Sequence, residues 1–338
     1  MKKKRLFGHG EPCFIIAEAG SNHNGNIECA KQLIDTAVES GADAVKFQLF
    51  KAKDLYSKYT PEFSYLKGQN VYDLIKDIET PREWIEELAK YCRGLIEFLA
   101  TPFDLEAVDL LDPFVPAFKI ASFEIVDLEL IKYAAEKGKP MIISTGMANL
   151  GEIEDVLLAV RSVSDNDIGL LHCSSLYPSP AEAVNLNAMK TMQHAFKLPV
   201  GFSDHTLGIH IPIAAVAMGA CIVEKHFTLD RKLPGPDHSF AVEPDELKEM
   251  VHCIREVETA QGSGIKERSE LEGEEMYTKA RRSIHARVDI KEGTTITRDA
   301  LTIKRPGYGV KPKFISIIVG RKAKVDIKED EWITWEKV

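Results

Sequence analysis

The sequence predicts a (β/α)₈ (TIM-type) barrel, an α/β fold, followed by a small, mostly-β domain. Three observations carry that expectation. Eight short apolar runs rich in β-branched residues recur along the chain, a helical pattern follows most of them, and the texture changes abruptly after Gly262. Runs that are apolar nearly throughout are what parallel strands covered on both faces require. Eight such units over roughly 250 residues match the length of a closed barrel. An open doubly wound sheet is the competing arrangement, but the first run lacks a following GxGxxG turn.

In chain order the strands are expected at Cys13–Gly20, Ala44–Phe50, Ile96–Phe103, Ala117–Glu124, Pro140–Met147, Ile168–Ser175, Pro199–His205 and Cys221–Phe227. Amphipathic segments between and after them include Asn26–Gly41, Pro81–Cys92, Asp127–Gly138, Gly151–Val163 and Pro244–Gly262. The one long insertion is Lys51–Glu79, after the second strand. A loop of that length in a compact domain is usually functional or mobile. The barrel is thus assigned to residues 1–262. Residues 263–280 are polar and charged with no buried face, and read as a linker. From 281 to 338 short alternating segments with turn signals follow: SIHARVDI, KEGTTI, LTIKRPG, GRKAKVDI and WITWEKV. They suffice for a small domain with a thin core.

Composition narrows the function classes. The 338 residues are 44% hydrophobic and 28% charged, the balance of an ordinary globular protein. A formal charge of −9, from 43 basic and 52 acidic side chains, argues against nucleic-acid wrapping but leaves room for a small anionic substrate. No apolar run approaches a membrane span, and MKKKR is not followed by the apolar stretch of a signal peptide. Six scattered cysteines, none in a CxxC, read as reduced thiols, so a cytoplasmic address is expected.

Active sites of such barrels sit at the C-terminal strand ends, and here those ends are polar. They carry Glu18 with Ser21–Asn24; Lys46 and Gln48; Thr101; Lys119, Ser122 and Glu124; Ser144 and Thr145. The last three strands add His172, Ser174, Ser175 and Tyr177; Ser203, Asp204 and His205; Glu224, Lys225 and His226, with the loop Pro234–His238 beyond. Burying lone charges costs several kcal/mol each, so a full set at one end of a sheet points to a site. Lys46 and Lys119 inside apolar runs imply an anion between them, unless they merely pair with Glu18 and Glu124. His205 and His226 close neighbouring strands, and two imidazoles with oxygen ligands suit an open octahedral site for Mn²⁺, Co²⁺ or a similar ion. His23 reads equally as a ligand or as a turn-fixing donor. There is no HExxH and no Cys/His zinc spacing.

Other features read as ordinary structure. His9, His194, His252 and His285 lack polar company; Gly25, Gly146 and Gly208 read as turn glycines; Trp84 and Leu88 share a core face. Glu267–Glu275 is a solvated face, and Cys173 a small buried thiol. Arg305, in a turn stiffened by Pro306, reads equally as a surface arginine or as a clamp offered to another chain's site.

The fragments IIAEAGSNHNG, AVKFQLF, ATPFD, FKIASFE, IISTGMA, LLHCSSLYPSP, VGFSDHTLG and IVEKHFTLDRKLPGPDH, in this order, resemble the sialic acid (nonulosonate) synthases. The C-terminal piece resembles the antifreeze-like (SAF) domain of the bacterial members. The resemblance implies condensation of phosphoenolpyruvate with an N-acylated mannosamine-type sugar, giving a nine-carbon 2-keto acid and phosphate. It implies metal dependence (Mn²⁺ first, Mg²⁺ or Co²⁺ as alternatives) and a domain-swapped homodimer. Carried over by motif, the metal histidines fall on His205 and His226. Phosphoenolpyruvate contacts fall on Lys46, Thr101, Lys119, Ser122, Ser144 and Ser203. Sugar contacts fall on Gln48, Tyr177, Asp237 and, from the swapped domain, Arg305, with Glu18 as the acid handling water and Glu124 nearby. Ser175 stands where many neuraminate synthases have Asn, and FKIASFE and TPREW look closer to the pseudaminate branch. LPGPDH is the neuraminate and legionaminate form, which favours those two products over pseudaminate. Two other readings compete: a Schiff-base aldolase using Lys46 or Lys119, disfavoured because nearby oxyanions should raise lysine pKa values, and a carbohydrate- or ice-binding module at the C-terminus.

Overall fold

The computed structural model describes residues 5–8, 10–61 and 70–338. His9, the first four residues and part of the Lys51–Glu79 loop lie outside the described residues. The chain forms two compact units, Met1–Gly262 and Ser263–Val338.

The first unit alternates strands and helices: β1 Phe14–Gly20, α1 Ile27–Glu39, β2 Ala44–Leu49, α2 Ala52–Leu55, α3 Val71–Asp77, α4 Trp84–Cys92, β3 Glu97–Pro102, α5 Leu105–Leu111, β4 Phe118–Ile120 and α6 Leu128–Glu136. It continues with β5 Met141–Ser144, α7 Leu150–Arg161, β6 Ile168–Cys173, α8 Asn187–Phe196, β7 Val200–Asp204, α9 His210–Ala217, β8 Ile222–His226 and α10 Pro244–Gln261. The eight parallel strands run β3-β2-β1-β8-β7-β6-β5-β4, a barrel closed except at the β3/β4 seam, which has no hydrogen-bonded ladder. Helix starts are written locally. Asn26, Asp104, Asp127 and Asn149 accept from first-turn backbone N–H groups, and Glu243 with Glu246 forms a capping box ahead of α10.

Strand alternation then sorts the barrel interior into layers. Phe14, Ile16, Ala44, Leu99, Ala117, Ile142, Leu171 and Ile222 fill its lower half, with Phe7 packed beneath. Two residues further along, β1–β5 and β8 present Glu18, Lys46, Thr101, Lys119, Ser144 and Glu224, joined by Ser203 from β7, all buried. The outer strand faces and the helices share the main apolar core.

Three expectations are corrected here. The fourth strand ends at Ile120, and Ser122–Val126 is a 3₁₀ turn with Phe123 exposed, so Ser122 and Glu124 sit on a turn rather than a strand. In the second unit only Ser283–Ala286 (β9) and Leu301–Lys304 (β10) form a ladder, antiparallel. The remaining alternating segments join through single bridges, Ile290–Ile327, Thr295–Lys322 and His285–Trp332, with positive-φ glycines at Gly293 and Gly320 between them. Finally, His285 is buried on β9 with its Nδ1 bonded to the Ser283 carbonyl, so it does not lack polar company. Residues 263–280, expected as a linker, fall within the second unit and carry a 3₁₀ turn, Glu270–Glu272, and a short helix, α11 Glu274–Lys279. Among the described residues no helix is long and apolar enough to cross a membrane. All six cysteines are free.

Candidate active site

Adjacent strand ends bring the polar layer into contact. Glu18 is in register with Lys46 on β2 and with His226 on β8. Lys46 Nζ lies 2.8 Å from Glu18 Oε2, donates to Thr101 Oγ1 at 3.0 Å, and is 3.5 Å from Glu224 Oε2. Lys119 Nζ donates to Ser144 Oγ at 2.8 Å and lies 3.4 Å from Glu224 Oε1, which also accepts from Ser203 Oγ at 2.9 Å. Glu224 therefore bridges the two buried lysines. The sequence pointed to Glu124 as the partner of Lys119; the observed ion-pair partner is Glu224, because Glu124 is carried off the barrel wall by the 3₁₀ turn. Glu224 is one of the polar strand ends, and its signal in the sequence is its place two residues before His226 on the same strand.

Electrostatics follow from this crowding. Burial works against the Lys46 ammonium, but Glu18 and Glu224 overcome it and hold its pKa above the ordinary value. At Lys119 burial prevails over Glu224 and the pKa is lowered, against the expectation that oxyanions raise both lysines. Burial acts against ionised Glu224, yet Lys119 and Lys46 pull its pKa down to about 2. Glu18 is pushed up by burial, and so is Asp237, to about 7 with help from Glu18.

A second cluster lies on the next inward positions. The rings of His205 and His226 are 5.4 Å apart between centroids, with Tyr177 4.3 Å from His205 and Phe240 edge-on to His226 at 5.3 Å. His205 Nδ1 is bonded to the Ser174 carbonyl at 2.8 Å. His226 Nδ1 is buried without a hydrogen-bond partner, 3.5 Å from Asp237 Oδ2. Burial lowers the pKa of both imidazoles, which favours the neutral form that ligates metals. Among the described residues no group of three or more His, Cys, Asp or Glu side chains is arranged to hold a metal ion. This donor set fits a cation held by two imidazoles and otherwise by water or substrate oxygens.

The first strand and the last loop complete the rim. Gln48 Nε2 donates to Glu18 Oε1 at 2.8 Å. Gly20 has φ +54°, and a Cβ there would stand 3.4–3.5 Å from Gln48 Nε2, Asp237 Oδ2 and Glu18 Oε1, which converge on it. Asp237 is held in place by its neighbour: His238 bonds Thr228 Oγ1 at 2.6 Å and Asn24 Oδ1 at 3.2 Å. His23 is a turn-fixing residue. Its Nδ1 accepts from Gly25 N–H and its Nε2 meets Thr80 Oγ1 at 2.8 Å, leaving no nitrogen for a metal. Gly146 is needed for close approach rather than for a left-handed turn, since a Cβ there would fall 2.2 Å from Ser175 Oγ and 2.8 Å from Ser122 Oγ. Ser122 Oγ accepts from Gly146 N–H at 3.0 Å. Four predicted residues are engaged elsewhere: His172 bonds the Val184 carbonyl, Thr145 the Leu171 carbonyl, and Asp204 pairs with Lys225. Arg305, in the second unit, donates from Nε to the Ala280 carbonyl.

Glu124 supplies a testable consequence. Burial raises its carboxyl to about 7, and its Oε2 has no hydrogen-bond partner. The protonated form is favoured in the fold, so stability present below pH 4.5 is lost as pH rises from there to about 7. Glu124→Gln should therefore match the parent in unfolding free energy at about pH 4 or below. It should exceed the parent near pH 8 by about 1–2 kcal/mol, discounted for partial exposure. An equal offset at both pH values would refute the assignment.

The NeuB family pattern matches residues 33–266, and the SAF domain pattern matches 281–338. N,N'-diacetyllegionaminic acid synthase of Campylobacter jejuni is 47% identical over 94% of this chain and 98% of its own. The pseudaminic acid synthase of the same species is 35% identical over 95% of each chain. The crystal structure of N-acetylneuraminic acid synthetase from Leptospira borgpetersenii, in complex with citrate, superposes with a TM-score of 0.71 at 36% identity, covering 79% of this chain and 91% of that one. Family patterns over residues 33–266 and 281–338, with relatives of 35–47% identity named as synthases, make this protein an enzyme of the NeuB family with a C-terminal SAF domain.

Proposed function

We propose that the protein condenses phosphoenolpyruvate with an N-acylated mannosamine-type sugar, releasing phosphate and a nine-carbon 2-keto acid. N,N'-diacetyllegionaminate is the favoured product and N-acetylneuraminate the second. The observation that carries this is the convergence of buried Lys46 and Lys119 on one carboxylate beside the His205–His226 pair. Two ammonium groups with the hydroxyls of Thr101, Ser122, Ser144 and Ser203 suit the phosphate and carboxylate of an enol phosphate. Higher identity to the legionaminic than to the pseudaminic acid synthase supports the product assignment.

His205 and His226 would hold a divalent cation, Mn²⁺ first and Mg²⁺ or Co²⁺ as alternatives, which when bound polarises the open-chain sugar's aldehyde. C3 of the enol then forms a bond to the aldehyde carbon, leaving electron deficiency at C2 of phosphoenolpyruvate. Glu18, bracketed by Lys46 and Gln48, takes the proton from water adding at C2. As the carbon–carbon bond forms, the former aldehyde oxygen takes a proton from Glu124. The C2 hydroxyl of the tetrahedral adduct returns a proton to Glu124 as the C2–O bond to phosphate breaks, and the departing phosphate, which receives the proton held by Glu18, stays with Lys46 and Lys119. Glu124, poised near neutral pH, serves as the neighbouring acid–base group. Gln48, Tyr177 and Asp237 bind the sugar, and Arg305 of a second copy closes the site in a domain-swapped homodimer. The reaction needs soluble intracellular substrates, which suits the cytoplasm.

The test is phosphate release from phosphoenolpyruvate with Mn²⁺ and either N-acetylmannosamine or 2,4-diacetamido-6-deoxy sugars. A diacetamido sugar of the legionaminate configuration should give the highest kcat/KM; release with none of the sugars would end the proposal. The lowered pKa of Lys119 favours one rival, a Schiff-base aldolase. Borohydride trapping of a pyruvate adduct on Lys119, insensitive to chelator, would establish that rival instead.

A further inference from the structure

Strands β7 and β8 pair in a register that alternates three kinds of rung. Ser203 stands opposite Glu224 inside the barrel, and Asp204 opposite Lys225 outside it. His205 and His226 follow on the inner face, with ring centroids 5.4 Å apart. The middle rung is a fully buried ion pair: Lys225 Nζ lies 2.6 Å from Asp204 Oδ2, and both side chains are at most 1% exposed. It points towards α10, whose Glu246 acts on Lys225. Nothing in the chemistry proposed above uses it.

The pair closes on one residue. Asp204 Oδ1 accepts from Thr206 N–H at 3.0 Å, and Asp204 Oδ2 accepts from Thr206 Oγ1 at 3.1 Å. Lys225 Nζ donates to the Thr206 carbonyl. Every polar group of Thr206, the residue directly after His205, is thus taken up by the two charged groups directly before His205 and His226. From the other side Ser179 N–H holds the His205 carbonyl at 2.9 Å. These bonds pin the backbone on both sides of His205.

A buried ion pair is a poor device for stability, because desolvation cancels most of its attraction and apolar replacements of similar shape are often neutral. Its value here is geometric. We propose that Asp204 and Lys225 are positioning residues that fix the mutual placement of His205 and His226 as a ready-made cation site. The inference rests on the two-histidine reading given under the proposed function. Outer groups that orient metal ligands typically account for 10–100-fold in metal affinity.

The test uses the full-length protein and Mn²⁺ alone, with free Mn²⁺ read by electron paramagnetic resonance. Asp204→Asn with Lys225→Met removes both charges while keeping side-chain shape and the acceptor for Thr206 N–H. This double variant should melt close to the parent yet bind Mn²⁺ about 10–100-fold more weakly. Parental Mn²⁺ affinity in the folded double variant would overturn the inference. Should that variant not fold, Thr206→Val, which keeps the ion pair but drops one bond to it, should weaken Mn²⁺ severalfold, and unchanged affinity there would overturn the inference equally. His205→Ala with His226→Ala separates the two levels: if it binds Mn²⁺ as the parent does, the two-histidine site itself is wrong and the positioning role falls with it.

Discussion

His226→Ala is expected to lose about 10³-fold or more in kcat/KM, corresponding to several kcal/mol of transition-state stabilisation supplied by a Lewis acid. The fold should survive. His226 Nδ1 makes no hydrogen bond that the alanine would leave broken, and the ring's packing against Tyr177 and Phe240 is the main loss. Near-ultraviolet circular dichroism should stay parental while turnover disappears. Mn²⁺ affinity should fall together with activity, and added Mn²⁺ at high concentration should restore little. Parental turnover in this variant would remove the metal role from His226.

The Glu224→Gln protein should show the largest stability change of any single substitution in the barrel interior. Glu224 is the carboxylate shared by Lys46 and Lys119, so its loss leaves two buried ammonium groups with Glu18 as their one remaining ion-pair partner among those described. Removing one member of a buried charge cluster costs about 3–5 kcal/mol. For a domain of this size that is about 10 °C in melting temperature. Inorganic phosphate or phosphoenolpyruvate should stabilise the variant more than the parent, since an added anion takes over the charge that was deleted. Equal shifts in the two proteins would show that the lysines do not face the anion site.

The strand ends were legible in the sequence because a parallel strand inside a barrel is written as an apolar run, and a polar residue at its end is conspicuous. Which of those residues share a face was not read from the sequence: Glu18, Lys46, Thr101, Lys119, Ser203 and Glu224 emerge as one buried layer once the barrel closes. Harder to read were α5, only seven residues long, and α9, whose IPIAAVA is apolar all the way round and gives no helical period. The turn at Ser122–Val126 was hidden because ASFEI alternates just as a strand does, and only packing decides that Phe123 faces outward.

What the sequence determined by itself was the list of chemical groups and the strand each one ends, since period-two alternation and local capping are properties of neighbouring residues. What tertiary structure decided was pairing. Glu224 rather than Glu124 neutralises Lys119, His23 is spent on Thr80, and Asp204 meets Lys225, each contact joining positions 21–105 residues apart or more loosely coupled in sequence than any local rule can reach. Charge in a low-dielectric interior is governed by distances of a few ångströms, and those distances exist only once eight strands have fixed their registers.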